Sequence, residues 1–387
     1  MEKFRGKWKG SKSMNRRSIL LKNSLMIVFL GLLNACALDH KEYPRSGAFR
    51  GDLKNTGAFA SQKDLLTPPT PNLKIKTRDW IFASPVFADG NLLIGVTNGD
   101  LICLTPNGKE RWRFDANGTI YSTPAVDKNS IYVGTMEGKF YALDVKDHSQ
   151  KWMTTFEYDK GVYASPKVVG NDVYVGSLDG AFYALNSQNG KVRWRFDTGE
   201  KIYATVAIDD GIGYVANHAG KIFAINLADG KEVWKSDLSD FPFLSSPAIT
   251  DTLLFIGNMD GTLYALSTKS GNNVWEFKAD YAISSSPSVS QNTVFFGSWD
   301  KSFYAVELAT GKKIWRYDTS AEVIGPSAVA GRMVYFGNKD GYFYGLDALT
   351  GKERWKFKTG GSISCSPLIY DGVIYFGSQD RYFYGLE

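Results

Sequence analysis

The sequence predicts an all-β protein, an eight-bladed β-propeller of four-stranded antiparallel blades, and three observations carry that prediction. Trp112, Trp152, Trp194, Trp234, Trp275, Trp315 and Trp355 are spaced 40, 42, 40, 41, 40 and 40 residues apart, which marks an internal repeat. Within each repeat, four short runs alternate apolar and polar residues and are separated by Gly, Asn and Asp, the period-2 signature of strands, and no run has a helical period. The first three strands of the pattern occur eight times, but the fourth, with its Trp, occurs seven times. One blade must therefore draw its outer strand from elsewhere, because an open ring would expose a strand edge.

Residues 163–194 display the unit, with strand A in YASPKVV, B in DVYVGS, C in AFYALN and D in VRWRFDT, which runs on past Trp194. Acid-Gly pairs connect B to C, as in MEG at residues 136–138 and MDG at residues 259–261; they supply the positive φ that a tight hairpin needs. A hydroxyl-Pro pair opens strand A, with Pro85, Pro124, Pro166, Val206, Pro247, Pro287, Pro326 and Pro367 in the proline place. The eighth unit stops after strand C, and Leu73 to Thr77 align onto Trp194 to Thr198. This N-terminal segment is expected to complete the last blade by pairing with Arg381 to Leu386, with Leu73 in the Trp slot.

Taken in order, residues 1–35 read as a signal peptide: eight Lys and Arg and one Glu, then the apolar run 25–33, too short to span a bilayer. Met14 is an alternative start. The whole chain has 45 basic and 40 acidic residues, of which residues 1–35 hold 8 and 1; the remaining 37 and 39 leave a net charge of −2, with no basic footprint for nucleic acid. Residues 36–71 form a lead-in and linker ending in TPPTP, and residues 72–387 form the propeller.

Each repeated Trp follows a Gly-Lys-type turn on the outermost strand, where it is expected to pack against the neighbouring blade. Cys103 replaces the alanine of other C strands and Cys365 lies on strand A near the axis, so neither a disulfide nor a nucleophile is expected. His148 holds a repeat position that is otherwise Gly, and a left-handed conformation accounts for it. His218 has no ligand partner at metal-binding spacing. No catalytic, cofactor-binding or metal residue is assigned.

Two resemblances extend this reading. The run Leu33-Asn34-Ala35-Cys36 resembles the lipobox of bacterial lipoproteins, which implies a lipid on Cys36, and Ala37 is not the Asp of inner-membrane retention; Arg16-Arg17 also resembles a twin-arginine signal, leaving the export route open. The AxxGxxxW-like runs ending at Trp234 and Trp355, with the YVGSxDGxxYAL runs, are similar to the quinoprotein (PQQ-like) propeller superfamily across residues 48–387. The run AFRGDLKNTG at residues 48–57 resembles a lead-in of that superfamily that packs near the blade closure; an adhesive role for Arg50-Gly51-Asp52 is set aside in that context.

The superfamily has an oxidoreductase branch with quinone and Ca²⁺ on the axis and long inserted loops, and a BamB-type branch of lipid-anchored outer-membrane assembly proteins. Absence of a Cys-Cys pair, bare loops and the lipobox favour the second. It implies a non-enzymatic scaffold on the periplasmic face of the outer membrane with a BamA-like partner; a ligand-binding oxidoreductase-like propeller, or an envelope lipoprotein with another partner, is the alternative. The tips Thr97, Met136, Leu178, His218, Met259, Trp299, Lys339 and Gln379 share one repeat position. Beside them, Phe241, Phe243, Met259, Tyr281 and Trp299 are expected to form one apolar docking patch, or else to fold inward and plug the axial channel.

Overall fold

Eight sheets of four antiparallel strands arise from the repeats, as their alternation requires, with Ala58–Phe59 added parallel to Ala328–Ala330 in the seventh, and the structure, a computed structural model, describes residues 47–60, 65–156 and 160–387. The third blade is typical, with strands Lys167–Val169, Asp172–Gly176, Ala181–Asn186 and Val192–Asp197 running outward from the axis. The B–C glycines hold positive φ, as at Gly180 (87°), and where blades six and eight lack Gly, Lys301 and Arg381 take φ of 67° and 69° instead.

The ring closes as the strand count demands. Pro71–Lys76 pairs antiparallel with Tyr382–Leu386, setting Leu73 opposite Gly385 as Trp194 stands opposite Ala184 in the third blade. Leu73 is buried and packs with Tyr375 and Phe383.

The Trp ring joins neighbouring blades. Six indoles donate Nε1–H to a carbonyl: Trp152 to Ser187 (2.9 Å), Trp194 to Leu227 (3.1 Å), Trp234 to Thr268 (2.8 Å), Trp275 to Leu308 (3.0 Å), Trp315 to Ala348 (3.0 Å) and Trp355 to Leu65 (2.7 Å). The repeated Gly before each Trp is where the previous blade's indole lands. A Cβ at Gly190, Gly230, Gly271, Gly311 or Gly351 would come within 2.5–2.7 Å of that ring, and φ there is 69–72°. His148 takes this place in blade two at φ 63° and stacks on Trp112 with ring centroids 4.4 Å apart.

Two sequence expectations need correction. In blade seven, strand Ala328–Ala330 lies forty residues from both Ser288–Ser290 and Leu368–Tyr370, so Pro326 stands in the hydroxyl place and Ser327 in the proline place. The lead-in does not pack at the blade closure: it lies across the axis at the far end of the A strands. Carbonyls of Leu53, Lys54, Thr56 and Gly57 accept from the N–H groups of Ile208, Ile249, Val289 and Val329 at 2.8–3.0 Å, and Gly47 pairs with Val126.

The lead-in fits there because the inward-facing ring two residues past the hydroxyl place is mostly small, with Ala125, Ala207, Ala248, Ser288 and Ala328. Into that space go Phe49, Arg50 and Asn55, all buried. Arg50 donates to the Pro287 carbonyl and Ser288 Oγ, each at 2.6 Å, and Asn55 Nδ2 reaches the carbonyls of Val206 (3.1 Å) and Pro247 (3.0 Å). Lys167, fully buried on strand A, donates to the carbonyls of Phe49 (2.9 Å) and Asp52, and burial pulls its amine down to about 7. With Arg50 only 2% exposed, Arg50-Gly51-Asp52 is a structural turn and not an adhesion site.

Candidate docking face and axial channel

The D–A and B–C connections emerge together on the face opposite the lead-in. All eight hairpin tips occupy one structural position, for each donates its N–H to a carbonyl of its own blade's D–A connection, from Thr97 to Trp80 (3.0 Å) through Trp299 to Ala282 (2.8 Å) and Gln379 to Ser362 (2.9 Å). The B–C and D–A loops of each blade are therefore one hydrogen-bonded unit.

The five patch residues divide. Phe241 and Tyr281 are 54% and 61% exposed, and Met259 and Trp299 are half-buried. Tyr281 and Trp299 lie 6.5 Å apart between ring centroids, and Lys339 Nζ stands 5.1 Å from the Trp299 ring, a cation–π contact. Trp299 Nε1 donates to Ser284 Oγ at 2.8 Å, which leans the indole toward the channel mouth. Phe243 is the correction: it is 0% exposed and packs with Tyr264, Ala216 and Ile256. It occupies the place of Ile202 and Ile283, a core slot between blades, so it is not a surface residue. Cys36 lies outside the described residues.

Sequence reading missed the most continuous feature of the face. The residue after that core slot is Phe82, Tyr121, Tyr163 and Tyr203 in blades one to four, but Leu244, Ser284, Ile324 and Ser364 in blades five to eight. The first four line the axial mouth as a half-ring. Phe82 meets Tyr121 at 5.0 Å, Tyr121 stacks on Tyr163 at 5.4 Å, and Tyr163 meets Tyr203 at 5.5 Å edge-on. Trp80 extends the arc outward at 6.3 Å from Phe82 and His218 extends it at 5.4 Å from Tyr203. The signal was a column in the repeat alignment, readable only once the core slot beside it is recognised.

Below the arc is an axial cavity of about 110 Å³, floored by Phe49 and lined by Ser84, Thr123, Ser165, Thr205 and Ser246 among others. The residues there do not fit a calcium-held quinone. No carboxylate lines the cavity, whereas Ca²⁺ takes six to eight oxygens, carboxylates among them, and cofactor pockets run to roughly 300 Å³ or more. Among the described residues, no group of three His, Cys, Asp or Glu is placed to hold a metal. Cys365 and Cys103 are free and buried, and burial pushes both thiols up to about 12, away from nucleophilic chemistry.

Fold and face together define an eight-bladed propeller of the PQQ-like class, closed at one axial end and aromatic at the other. Against known proteins, the chain matches the family described as outer membrane protein assembly factor BamB over residues 52–195, 124–242, 218–327 and 322–387. It belongs to that family. A curated relative, the outer membrane protein assembly factor BamB of Burkholderia pseudomallei (strain K96243), is 35% identical over 68 residues, 17% of this chain and 18% of that relative's length.

Among solved structures, BamB from Moraxella catarrhalis superposes with a TM-score of 0.72 at 18% identity over 82% of this chain and 99% of that one. The quinohemoprotein alcohol dehydrogenase from Comamonas testosteroni superposes with a TM-score of 0.77 at 14% identity, over 92% and 82% of the two chains. At such identities these likenesses speak to fold alone.

Proposed function

We propose that this protein is a non-enzymatic scaffold of the bacterial envelope, held at the periplasmic face of the outer membrane by a lipid on Cys36, which docks a protein of the outer-membrane β-barrel assembly machinery. The observation that carries the reading is the aromatic face. Trp80, Tyr163, Phe241 and Tyr281 are each more than a third exposed on the one axial end that the lead-in leaves open. Aromatic side chains around a concave mouth are the composition of a protein-binding hot spot, and family membership supports the machinery as the partner. Phe241, Met259, Tyr281 and Trp299 serve as the anchor on one side of the mouth and the tyrosine arc serves on the other.

The test is capture of a BamA-like barrel protein from detergent-solubilised envelope by the full-length protein and by a Tyr163→Ser/Tyr281→Ser variant. Loss of capture at unchanged melting temperature is expected. Equal capture by both would overturn the assignment of this face.

A further inference from the structure

The hydroxyl girdle inside the axial channel has an unbalanced hydrogen-bond polarity. At six junctions the backbone N–H of one girdle residue donates to the hydroxyl oxygen of the next blade: Ser84 to Thr123 (3.1 Å), Thr123 to Ser165 (3.0 Å), Ser165 to Thr205 (3.0 Å), Thr205 to Ser246 (2.9 Å), Ser246 to Ser286 (2.9 Å) and Ser366 to Ser84 (2.9 Å). Each of these six oxygens accepts one bond, and none of the six hydroxyls donates its own proton to a protein acceptor among the described residues.

Pro326 breaks the ring. It has no N–H to give, so Ser366 Oγ, at the same girdle position and only 2% exposed, has no hydrogen-bond partner among the described residues. A buried hydroxyl left unpaired is costly. Six of these hydroxyls, those of Ser84, Thr123, Ser165, Thr205, Ser246 and Ser286, line a cavity of about 110 Å³ that no carboxylate lines, and Ser366, whose N–H bonds Ser84, stands at the seventh place of the same girdle outside the lining. Behind its floor at Phe49 stand two buried basic groups, the Arg50 guanidinium and the Lys167 amine, with Asp52 as the carboxylate that bears on both.

We infer that the axial channel is a binding site for one small oxyanion of the size of sulfate or phosphate, held by hydroxyls drawn from Ser84, Thr123, Ser165, Thr205, Ser246 and Ser286. The cavity has room for one such ion or about four waters. Water brings two protons of its own into a ring already rich in donors, whereas an oxyanion only accepts, and hydrogen bonds to a charged acceptor are the stronger kind. Phe82, Tyr121, Tyr163 and Tyr203 of the arc also line this cavity, but the anion site rests on the girdle hydroxyls and not on the function proposed for the face.

The experiment is calorimetric titration of the full mature chain with sodium sulfate and sodium phosphate at constant ionic strength, paired with selenate-soaked crystals. One bound anion per chain and an anomalous selenium peak on the axis are expected. Ser165→Ala removes a lining hydroxyl and should bind at least tenfold more weakly, whereas Ser366→Ala, which alters a hydroxyl outside the lining that supports no protein contact among the described residues, should melt no lower than the parent and bind normally. Thr205→Ser, which keeps its hydroxyl, should bind normally. Absence of both heat and peak, a peak without heat (binding at crystal concentration only), or unchanged affinity in Ser165→Ala would each overturn the proposal.

Discussion

Phe241 and Phe243 are two residues apart and have opposite fates, which makes them the sharpest internal test of how the face is built. Phe243 is 0% exposed and fills the slot beneath Ala216 and against Tyr264, whereas Phe241 is 54% exposed at the loop tip. Truncating a buried Phe to Ala costs roughly 3–5 kcal/mol. For a propeller of about 340 residues unfolding as one unit, the typical unfolding entropy per residue turns each kcal/mol into about 1.4 °C. Phe243→Ala should therefore melt about 4–7 °C below the parent, and Phe241→Ala within about 1 °C of it. Circular dichroism melts at fixed pH read both, and partner capture is measured on the same preparations below the transition. Phe241→Ala is expected to weaken capture with its melt unchanged, while Phe243→Ala binds in proportion to its folded fraction. Parental melting of Phe243→Ala would refute the core assignment, and normal capture by Phe241→Ala would remove it from the docking surface.

Further outcomes follow from the closure, the anchor and the buried lysine. Deleting residues up to 78 removes both the lead-in and the strand opposite Tyr382–Leu386, so the product should lose cooperative melting or melt at least about 10 °C lower; an unchanged transition would contradict the closed ring. Cys36→Ser should move the protein from the membrane pellet to the soluble periplasmic fraction, and continued sedimentation would refute lipid anchoring. Lys167 has a folded value near 7 against an ordinary 10.5, so between those values the unfolded chain binds more protons and stability rises with pH. Urea titrations at pH 7 and pH 10 should show that rise in the parent and a smaller one in Lys167→Met; equal slopes would mean that the amine is not desolvated as described.

Much of the architecture was legible because each repeat declares its own packing. The Trp spacing, the acid-Gly turns and the orphaned C strand of the eighth unit are local signals, and together they fix blade count and closure. The lead-in was not legible in place. Its dock is a ring of Ala125, Ala207, Ala248 and Ala328 drawn from four blades, and small residues at one repeat position look like ordinary strand filler until the ring is assembled. Blade seven misled for a similar reason: a Ser-Pro pair and a Pro-Ser pair differ by one residue, and only the strand register shows that Pro326 interrupts the girdle. At the docking face, Phe241 and Phe243 of one loop were read as parts of one patch, although Phe243 stands in the repeat position held by Ile202 and Ile283, which seats its side chain in the core.

The central claim is that the aromatic axial mouth, and not the face sealed by the lead-in, meets the partner. Site-specific photo-crosslinking in intact cells tests it most directly, with the photoreactive side chain placed at Tyr281 on the open face or at Lys128, exposed on an A–B turn of the sealed face. A crosslink from position 281 to a protein of the outer-membrane barrel assembly machinery is expected, and none from position 128. A crosslink to that machinery from position 128 with none from position 281 would contradict it.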